Sequence, residues 1–181
     1  IMKKLIHVIG GGTFNYVRAH LALSAPAFGS TAKRIATLCE QAFDKDVYEV
    51  KLHLTKMADP QSEIVTNDDV SQLIDRICED PNSKIIFMNA ALTDYVGTVR
   101  DEVSGKYARR LKTVQGATEM ELVPAPKVIV KIRGAGYKRK GIFLVAFKTT
   151  CNESSQEQYV RGLGLLKSIS ANLVFVNDIG V

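Results

Sequence analysis

A run of small and polar residues in the middle of the chain stands where a ligand could bind. The sequence Asn89-Ala90-Ala91-Leu92-Thr93-Asp94-Tyr95 follows the apolar run Lys84-Ile85-Ile86-Phe87-Met88, which predicts a buried parallel strand. Ligands of open α/β sheets bind at the carboxyl ends of the strands. Asp94 is therefore a candidate for binding a sugar hydroxyl or a metal ion, or for transferring a proton. Aspartate is, however, also common in turns and helix caps.

A second candidate is the run Gly10-Gly11-Gly12-Thr13, which follows the first predicted strand, residues 4–9. Glycines at such a turn let a phosphate approach free backbone N–H groups. The run fits a plain tight turn equally well, because it is neither a dinucleotide-binding fingerprint nor a P-loop. Arg18 follows shortly afterwards, and its guanidinium suits phosphate or carboxylate.

Two further predicted strands also end in residues that could contact a ligand. Phe147-Lys148-Thr149-Thr150 ends one of them and Asn177-Asp178 ends the last. Phe147 fits the core, but an aromatic side chain at a strand end can also stack on a nucleotide base. Each motif alone is compatible with a turn, whereas four such strand ends together predict one shared cleft.

The elements that must position these residues alternate between strand and helix patterns. The strands are predicted at residues 4–9, 47–54, 85–88, 142–147 and 173–176, and a short one at 120–123. Helical periodicity covers residues 30–43, with Ser30 or Thr31 as cap, a segment that begins at Asn67 and ends at Asp80, and residues 156–168. Residues 126–132 fit either a helical turn or a strand, and residues 98–115 suggest a long mobile loop.

This alternation predicts an α/β fold. We expect a Rossmann-like three-layer sandwich with a mostly parallel sheet, helices on both faces and a long mobile strap loop. With 181 residues, of which 46% are hydrophobic and 24% charged, the chain fits a single domain over residues 1–181.

Composition excludes several classes of protein. No apolar run approaches the roughly 20 residues that span a bilayer. The three cysteines, Cys39, Cys78 and Cys151, have no paired spacing, which argues against a structural zinc site and favours a reducing, cytoplasmic compartment.

Part of the net charge of +5 comes from two basic clusters. The clusters fit either a solvated face or attraction of an anionic ligand such as a nucleoside triphosphate. Nucleic acid is less well supported, because the aromatic side chains of single-strand binders are not interleaved with the basic residues. The clusters are Lys106, Arg109, Arg110 and Lys112, and then Lys127, Lys131, Arg133, Lys138, Arg139 and Lys140.

The order and spacing of these motifs resemble the phosphopantothenoylcysteine synthetase (phosphopantothenate–cysteine ligase) family over nearly the whole chain. In bacteria the family forms the C-terminal domain of a DNA/pantothenate metabolism flavoprotein. Its Gly-Gly-Thr and Val-Arg motifs resemble Gly11-Gly12-Thr13 and Val17-Arg18. Its Ala-Ala-Val-Ala-Asp-Tyr, Phe-Lys-Leu-Glu-Thr and Ala-Asn-Asp motifs resemble the stretches that begin at Ala90, Phe147 and Val176.

The resemblance implies a ligase of coenzyme A biosynthesis. CTP or ATP, with Mg²⁺, would activate the carboxylate of 4′-phosphopantothenate as an acyl-nucleotide, and cysteine would then form the amide. It also implies a homodimer with small-molecule substrates and with neither nucleic acid nor a membrane as partner. Asp94 would hold the metal, and Arg18, Arg109 and Arg110 would be catalytic. The implied nucleotide-binding residues are Gly11, Gly12, Thr13, Ala90, Ala91, Asp94, Phe147 and Lys148.

The chain departs from the family pattern at three places. Ala22 stands where the family has an asparagine that supports the acyl-nucleotide chemistry, Thr150 replaces a glutamate, and Arg109-Arg110 replace the lysines of the bacterial strap. His20 or Asn15 are candidate substitutes for the asparagine. The loss of that amide keeps open an alternative, a nucleotide- or phosphometabolite-binding homologue that has lost or changed the chemistry. A nicotinamide-dependent oxidoreductase is disfavoured, because the glycine run lacks the third glycine of the dinucleotide fingerprint.

Overall fold

The elements alternate along the chain as the sequence pattern indicates, with two additional hairpins. The computed structural model describes residues 2–100, 102–134 and 136–180. A 3-10 turn at Thr113–Gln115 accompanies the strands and helices. In chain order the strands and helices are β1 (Lys4–Gly10), β2 (Phe14–Arg18), β3 (Leu21–Ser24), α1 (Ser30–Ala42), β4 (Tyr48–Leu54), α2 (Asn67–Glu79), β5 (Ser83–Met88), β6 (Tyr95–Thr98), β7 (Glu121–Pro124), α3 (Val130–Arg133), β8 (Phe143–Thr150), α4 (Ser155–Ser168) and β9 (Leu173–Asp178).

Five strands form one all-parallel sheet in the order β4-β1-β5-β8-β9. The chain steps outward from β1 to β4 and then returns to the other side of β1 to form β5. Such a reversal opens a crevice outside the carboxyl ends of the two strands that flank it. The predicted Rossmann-like α/β class and parallel sheet are confirmed.

Helices pack on both faces of the sheet, as expected. On one face, Ala32 and Ala36 of α1 pack against Val8 of β1. On the other, Ile74 of α2 and Ile132 of α3 share the larger core with strand residues such as Ile9, Ile86 and Leu144. The third helix on this second face is α4, where a Cβ added at Gly162 would lie 2.5 Å from Val176 of β9.

Two of the three long helices begin with a capping box. The N-terminus of α2 is a capping box between Thr66 and Asp69, and that of α4 is a capping box between Ser154 and Glu157, both of which satisfy the first free N–H groups. The predicted cap of α1 at Ser30 or Thr31 is wrong. The cap is Gly29, in the left-handed region at φ 77°, because a side chain there would meet Ala58 at 2.7 Å.

Two antiparallel hairpins form a small layer beyond the carboxyl edge. β2 pairs with β3, and β6 pairs with β7. They pack together at Gly97, where an added Cβ would lie 2.9 Å from Val17 and 3.0 Å from Leu23. The β2–β3 hairpin was not predicted, since its short strands carry no clear alternation. The short strand expected at 120–123 is confirmed as β7, and the undecided segment 126–132 leads into α3.

Candidate functional site at the carboxyl edge of the sheet

The structure brings the first glycine run and the Ala90-Ala91 segment together, as the sequence predicts. Gly12 and Ala91 form an isolated parallel bridge. The N–H of Thr13 donates to the carbonyl of Ala91 at 3.0 Å, and the N–H of Ala91 donates to the carbonyl of Gly11 at 3.0 Å. The loops after β1 and β5 therefore meet at the point where the strand order reverses.

A three-residue hydrogen-bond network fixes this junction. The hydroxyl of Thr13 donates to Oδ1 of Asn67 at 2.6 Å and accepts from the N–H of Thr93 at 3.1 Å. Nδ2 of Asn67 donates to the carbonyl of Thr93 at 2.9 Å. Sequence reasoning treated Asn67 only as the start of a helix, and its partners, 54 and 26 residues away, leave no local signal that could have revealed this role.

The glycine run differs from its expected role as a set of free N–H groups. The N–H of Gly12 donates to Ala27 at 2.7 Å, and that of Thr13 is used by Ala91. A Cβ added at Gly12 would lie 2.0 Å from the carbonyl oxygen of Ala25, so the segment before α1 lies directly over the loop. The glycines permit this close approach, and these two N–H groups are not available to a phosphate.

The N-terminus of α1 offers the donors that the glycine run does not. Gly29 provides no side-chain cap, and the first turn has no acidic residue. The opening N–H groups, at Ser30 to Ala32, thus lie at the positive end of the helix dipole without a carboxylate. Close packing of α1 on β1, where a Cβ added at Gly10 would lie 2.1 Å from Ala32, holds this end of the helix at the sheet edge.

The ends of β8 and β9 place an aromatic pair on the same side of the sheet as α1. The Phe147 and Phe175 rings stack, with centroids 5.4 Å apart and planes inclined by 21°. Val145 and Phe147 alternate with Leu144 and Ala146, which belong to the core under α2. Lys148 consequently lies on the opposite face from Phe147 and does not share a side of the sheet with it.

Polar side chains tie the ends of β8 and β9 together. The Thr149 hydroxyl donates to Asn177 at 3.3 Å, and the Thr150 hydroxyl donates to Asp178 at 2.7 Å. Asp178 also accepts from the N–H groups of Asn152, Glu153 and Gly180. The Thr150 hydrogen bond is the main reason why the pKa of Asp178 is lowered, and this carboxylate serves the turn after β8.

Asp94 lies exposed just before β6 and pairs with Lys127 at 2.5 Å. Its carbonyl accepts from the N–H of Ala125 at 2.8 Å, which joins the Asp94 turn to the segment before α3. Within residues 2–100, 102–134 and 136–180, no three His, Cys, Asp or Glu side chains are grouped as ligands of a metal ion. Asp94 can thus supply one carboxylate to a cation whose other ligands come from elsewhere.

The three predicted catalytic arginines lie in the hairpin layer. Arg18 is fully buried, and its guanidinium donates to the carbonyls of Val17 and Val99, both at 2.7 Å. It also forms an ion pair with the carboxylate of Glu102 at 3.7 Å. Arg109 and Arg110 are exposed and line a surface depression beside His20 at the tip of the β2–β3 hairpin. Arg18 therefore anchors the start of the strap segment, whereas Arg109 and Arg110 face solvent.

The second basic cluster is largely used within the fold. Lys131 pairs with Asp75 at 2.5 Å. Arg133 donates to the carbonyl of Ile142 at 2.8 Å, and Arg139 donates to the carbonyls of Cys78 and Ser83. These cations satisfy carboxylates and carbonyls of the protein, so the interpretation as an anion-attracting patch applies better to the first cluster.

Ala22 is half-buried in β3, paired with Tyr16 of β2. Neither candidate substitute for the missing amide stands free beside it. Oδ1 of Asn15 accepts from the N–H of Gly97 at 3.0 Å, and His20 is exposed at the hairpin turn. The structure thus offers no obvious replacement at this position.

A cavity of about 450 Å³ opens beside the Thr13–Asn67–Thr93 network. Its walls come from β2, the N-terminus of α2, the strap segment at Ser104 to Lys106, and Ala125-Pro126. This volume suits a small metabolite. The cavity lies on the α2 side of the edge, opposite the α1 N-terminus.

None of the described helices is long and apolar enough to cross a membrane. Neither the protein-family models nor the curated proteins contain a match to the sequence.

Solved structures do match the fold over almost the whole chain. The DNA/pantothenate metabolism flavoprotein from Streptococcus pneumoniae superposes with a TM-score of 0.77 and 18% identity, over 98% of this chain and 83% of that chain. The C-terminal domain of the coenzyme A biosynthesis bifunctional protein CoaBC gives 0.66 and 15%, over 98% and 78%. A Cab2 mutant in complex with phosphopantothenate-cysteine gives 0.64 and 12%, over 97% and 73%.

These similarities agree with the order and spacing of the sequence motifs. The chain has the fold of the phosphopantothenoylcysteine synthetase domain, and the resemblance predicted from its motifs is confirmed at that level.

Proposed function

We propose that the chain is a ligase that activates the carboxylate of 4′-phosphopantothenate with CTP or ATP and joins it to cysteine. The observation that supports this most directly is the placement of an uncapped α1 N-terminus and the Phe147 ring on one side of the carboxyl edge. A nucleotide bound there can place its phosphates at the α1 N-terminus and its base on the Phe147 ring. The fold similarity to a protein bound to phosphopantothenate-cysteine supports the substrate class.

In this proposal the nucleotide lies across the strand-order reversal. The N–H groups after Gly29 receive phosphate oxygens, and the stacked Phe147–Phe175 pair offers a flat apolar surface to the base. Gly11, Gly12, Thr13, Ala90 and Ala91 form the closely packed floor, with Thr13 acting through its network and not by direct contact. Lys148 contributes from the opposite face only through the charge it adds to this edge.

Mg²⁺ would accompany the triphosphate. Magnesium commonly binds one or two carboxylates together with substrate phosphates and water, which fits the exposed carboxylate of Asp94. The bound ion would supply neutralisation of phosphate charge. Lys127, which pairs with Asp94, would orient that carboxylate.

The reaction proceeds by two displacements. A carboxylate oxygen of 4′-phosphopantothenate attacks the α-phosphorus, and pyrophosphate leaves. The cysteine amine then attacks the acyl carbon, loses a proton and releases the nucleoside monophosphate. The protein's contribution is alignment and neutralisation of charge. Arg109 and Arg110 on the strap are proposed to approach the phosphates on closure, and buried Arg18 holds the strap at its base.

Ala22 favours a second candidate function, a binding protein that retains the cleft and has lost the chemistry. Its methyl group can neither donate nor accept a hydrogen bond, and the neighbouring Asn15 already bonds Gly97. In this case the nucleotide would bind without turnover, and Ala22→Asn would increase or restore activity.

Pyrophosphate release tests the two candidates. Purified protein is incubated with Mg²⁺ and CTP or ATP, with and without 4′-phosphopantothenate and cysteine. Release that requires 4′-phosphopantothenate supports the ligase and identifies the nucleotide. Nucleotide binding without release by the wild type, together with release by Ala22→Asn, supports the binding homologue. If neither nucleotide binds, both candidates are wrong.

The proposal includes a homodimer and a reducing, cytoplasmic location. The location is supported by Cys39, Cys78 and Cys151, all of which are free thiols.

A further inference from the structure

Two polar side chains continue the Phe147–Phe175 pair towards the carboxyl edge of the sheet. β8 and β9 are parallel, with Phe147 opposite Phe175 and Thr149 opposite Asn177. Residues two apart in a strand share a face and are about 6.6 Å from each other, so Thr149 and Asn177 lie on the same side as the two rings, one step beyond them. Both are exposed. The aromatic surface therefore ends in a hydroxyl and a carboxamide.

The Asn177 carboxamide retains most of its hydrogen-bonding capacity. The Thr149 hydroxyl donates to Oδ1 of Asn177 at 3.3 Å, which uses one of the two lone pairs of that oxygen. Within residues 2–100, 102–134 and 136–180, neither N–H of the Asn177 amide has a hydrogen-bond partner. An acceptor and a donor thus remain side by side on one exposed, planar group.

The polar side chains next to this pair point the other way. Thr150 and Asp178 bond to each other on the opposite face, where Lys148 also lies. Of the side chains that the described strands β8 and β9 place on the α1 side, Thr149 and Asn177 are the polar ones. Because neither is ionised, they suit a neutral hydrogen-bonding group better than a phosphate.

The position of β9 determines which part of a nucleotide would meet this pair. β9 is the edge strand furthest from β1 and β4, on which α1 packs. With the phosphates at the α1 N-terminus and the base on the two rings, as in the proposed function, the base edge remote from the phosphates points towards β9. That edge carries groups that distinguish one base from another.

A carboxamide can separate the bases into two classes. Adenine and cytosine present an amino donor beside a ring-nitrogen acceptor, whereas guanine and uracil present a carbonyl acceptor beside a ring N–H donor. The amide matches the first class when its oxygen accepts from the amino group and its nitrogen donates to the ring nitrogen. To match the second class the amide must turn over, which breaks the hydrogen bond from Thr149 to Oδ1 of Asn177.

We propose that the Asn177 carboxamide, oriented by Thr149, recognises the base of the nucleotide and selects cytosine or adenine over uracil and guanine. Base recognition by Asn177 rests on the proposed function, in which a nucleotide binds at this edge, and it adds the side chain that distinguishes the bases. Asn177 contacts the base, and Thr149 is a positioning residue.

Equilibrium binding of nucleotides tests this role without any turnover. The Kd values of CTP, ATP, UTP and GTP with Mg²⁺ are measured by calorimetry for the wild type and for Asn177→Ala, Asn177→Asp and Thr149→Val. Gln156→Ala is the matched control, because it removes an exposed amide on α4, which covers the other face. Thermal melts establish that each variant is folded.

We expect the wild type and Gln156→Ala to bind CTP or ATP at least roughly 10-fold more tightly than UTP and GTP. Asn177→Ala should bring the four affinities to within about 3-fold of one another, and Thr149→Val should reduce the discrimination in part. Asn177→Asp should make GTP the tightest of the four, because its carboxylate oxygens can accept from the ring N–H and the amino group of guanine. A purely structural role of Asn177 would not produce this reversal.

Equal binding of the four nucleotides by the wild type overturns the proposal, as does unchanged discrimination in Asn177→Ala. Both outcomes leave the proposed ligase intact, since pyrophosphate release is measured separately. Discrimination that depends on Asn177 without pyrophosphate release supports base recognition in a protein that has lost the chemistry. If none of the four nucleotides binds, the proposed function and the role of Asn177 both fail.

Discussion

At the scale of single residues, Thr13 connects three segments through one hydroxyl. It donates to Asn67 at the start of α2 and accepts from Thr93 after β5, and the residue is fully buried. The resemblance assigns Thr13 to nucleotide binding. Its geometry indicates that the residue positions the loops, since its donor and acceptor functions are both used within the protein.

Thr13→Val keeps the shape of the side chain and removes the hydrogen bonds that its hydroxyl makes with Asn67, Ala91 and Thr93. Because it leaves Asn67 and the N–H of Thr93 without that partner, we expect the free energy of unfolding to fall by roughly 2–3 kcal/mol. Urea denaturation measures the change. Thr37→Val is the control, because the Thr37 hydroxyl bonds only to the Lys33 carbonyl on the exposed side of α1, and it should change stability by less than about 0.5 kcal/mol. Equal effects of the two substitutions would contradict the role of the network.

A histidine pair, in which His7 is buried and His53 half-buried, lies on the α2 face, away from the site. Nδ1 of His7 is 3.0 Å from Nε2 of His53, and Nε2 of His7 is 2.9 Å from the Ser83 hydroxyl. Burial lowers the pKa of each ring to about 4, assisted by His53 at His7 and by Arg76 and Lys51 at His53. Both rings are therefore neutral at pH 7.

This pair predicts a loss of stability on acidification. The unfolded rings titrate near pH 6.5 and the folded ones near pH 4, so between these values the unfolded state binds more protons. The stability contribution is complete above pH 6.5 and is lost as the pH falls towards 4, by roughly 3 kcal/mol or less for each ring. Urea denaturation from pH 7 to 4.5 measures the slope.

His53→Gln removes one of the two titrating rings and should reduce this slope by about half. Thr37→Val, which removes no ionisable group, should leave the slope unchanged. If the free energy of unfolding of His53→Gln depended on pH as steeply as that of the wild type, the pair would not be responsible for the acid sensitivity.

At the scale of elements, the contact between α1 and β1 determines where the helix N-terminus lies. β1 ends in Gly10, and its α-carbon packs against Ala32 in the first turn of α1. This contact holds the N-terminus of α1 at the carboxyl edge of the sheet, where Phe147 also lies. The backbone φ of Gly10 is not in the left-handed region, so its conformation does not itself require glycine. Glycine is required at this position because a Cβ would collide with Ala32.

Gly10→Ala should displace α1 from the sheet, because the new Cβ would lie 2.1 Å from that of Ala32. We expect a loss of roughly 2–3 kcal/mol in the free energy of unfolding. The matched control is Gly164→Ala in α4, where nothing lies within 4 Å of an added Cβ, and there we expect a gain of about 0.5–1 kcal/mol from helix propensity. Partial rescue of Gly10→Ala by Ala32→Gly would show that this contact is the cause, and an unaltered melting temperature in Gly10→Ala would argue against it.

At the scale of the whole molecule, a rigid sheet supports a thinner hairpin layer. β1, β5 and β8 are central and largely buried, whereas β7 is exposed along its whole length and pairs only with β6. The cavity beside Thr93 lies between these two parts. Motion of the hairpins and the strap would therefore open or close the cavity without disturbing the sheet.

Native-state hydrogen exchange should separate the two parts. We expect amides of β1 and β5 to exchange only by global unfolding, and those of β6 and β7 to exchange at least roughly 100-fold faster through local opening. Mass spectrometry of peptides from the two regions measures the difference. Equal protection of the hairpin and the sheet would mean that the hairpin layer unfolds only with the whole domain.

The sequence by itself determined most of the architecture, because local patterns specify local structure. Apolar runs of strand length and helical periodicity predicted the sheet strands and the three long helices, including the start of α2 at Asn67. Motif order also predicted the family whose fold the chain has. These signals need only neighbours in the chain, as do the strand-end positions of Asp94, Phe147 and Asn177.

Only the tertiary structure decided what the polar groups do, because their partners are distant in sequence. It showed that Arg18 is buried against Val99, that the N–H of Gly12 bonds to Ala27, and that Asn67 joins Thr13 to Thr93. It also assigned Phe147 and Lys148 to opposite faces and left Phe143 and Phe175 uncovered. Each of these facts depends on packing between elements, which hydrophobic patterning constrains but does not specify.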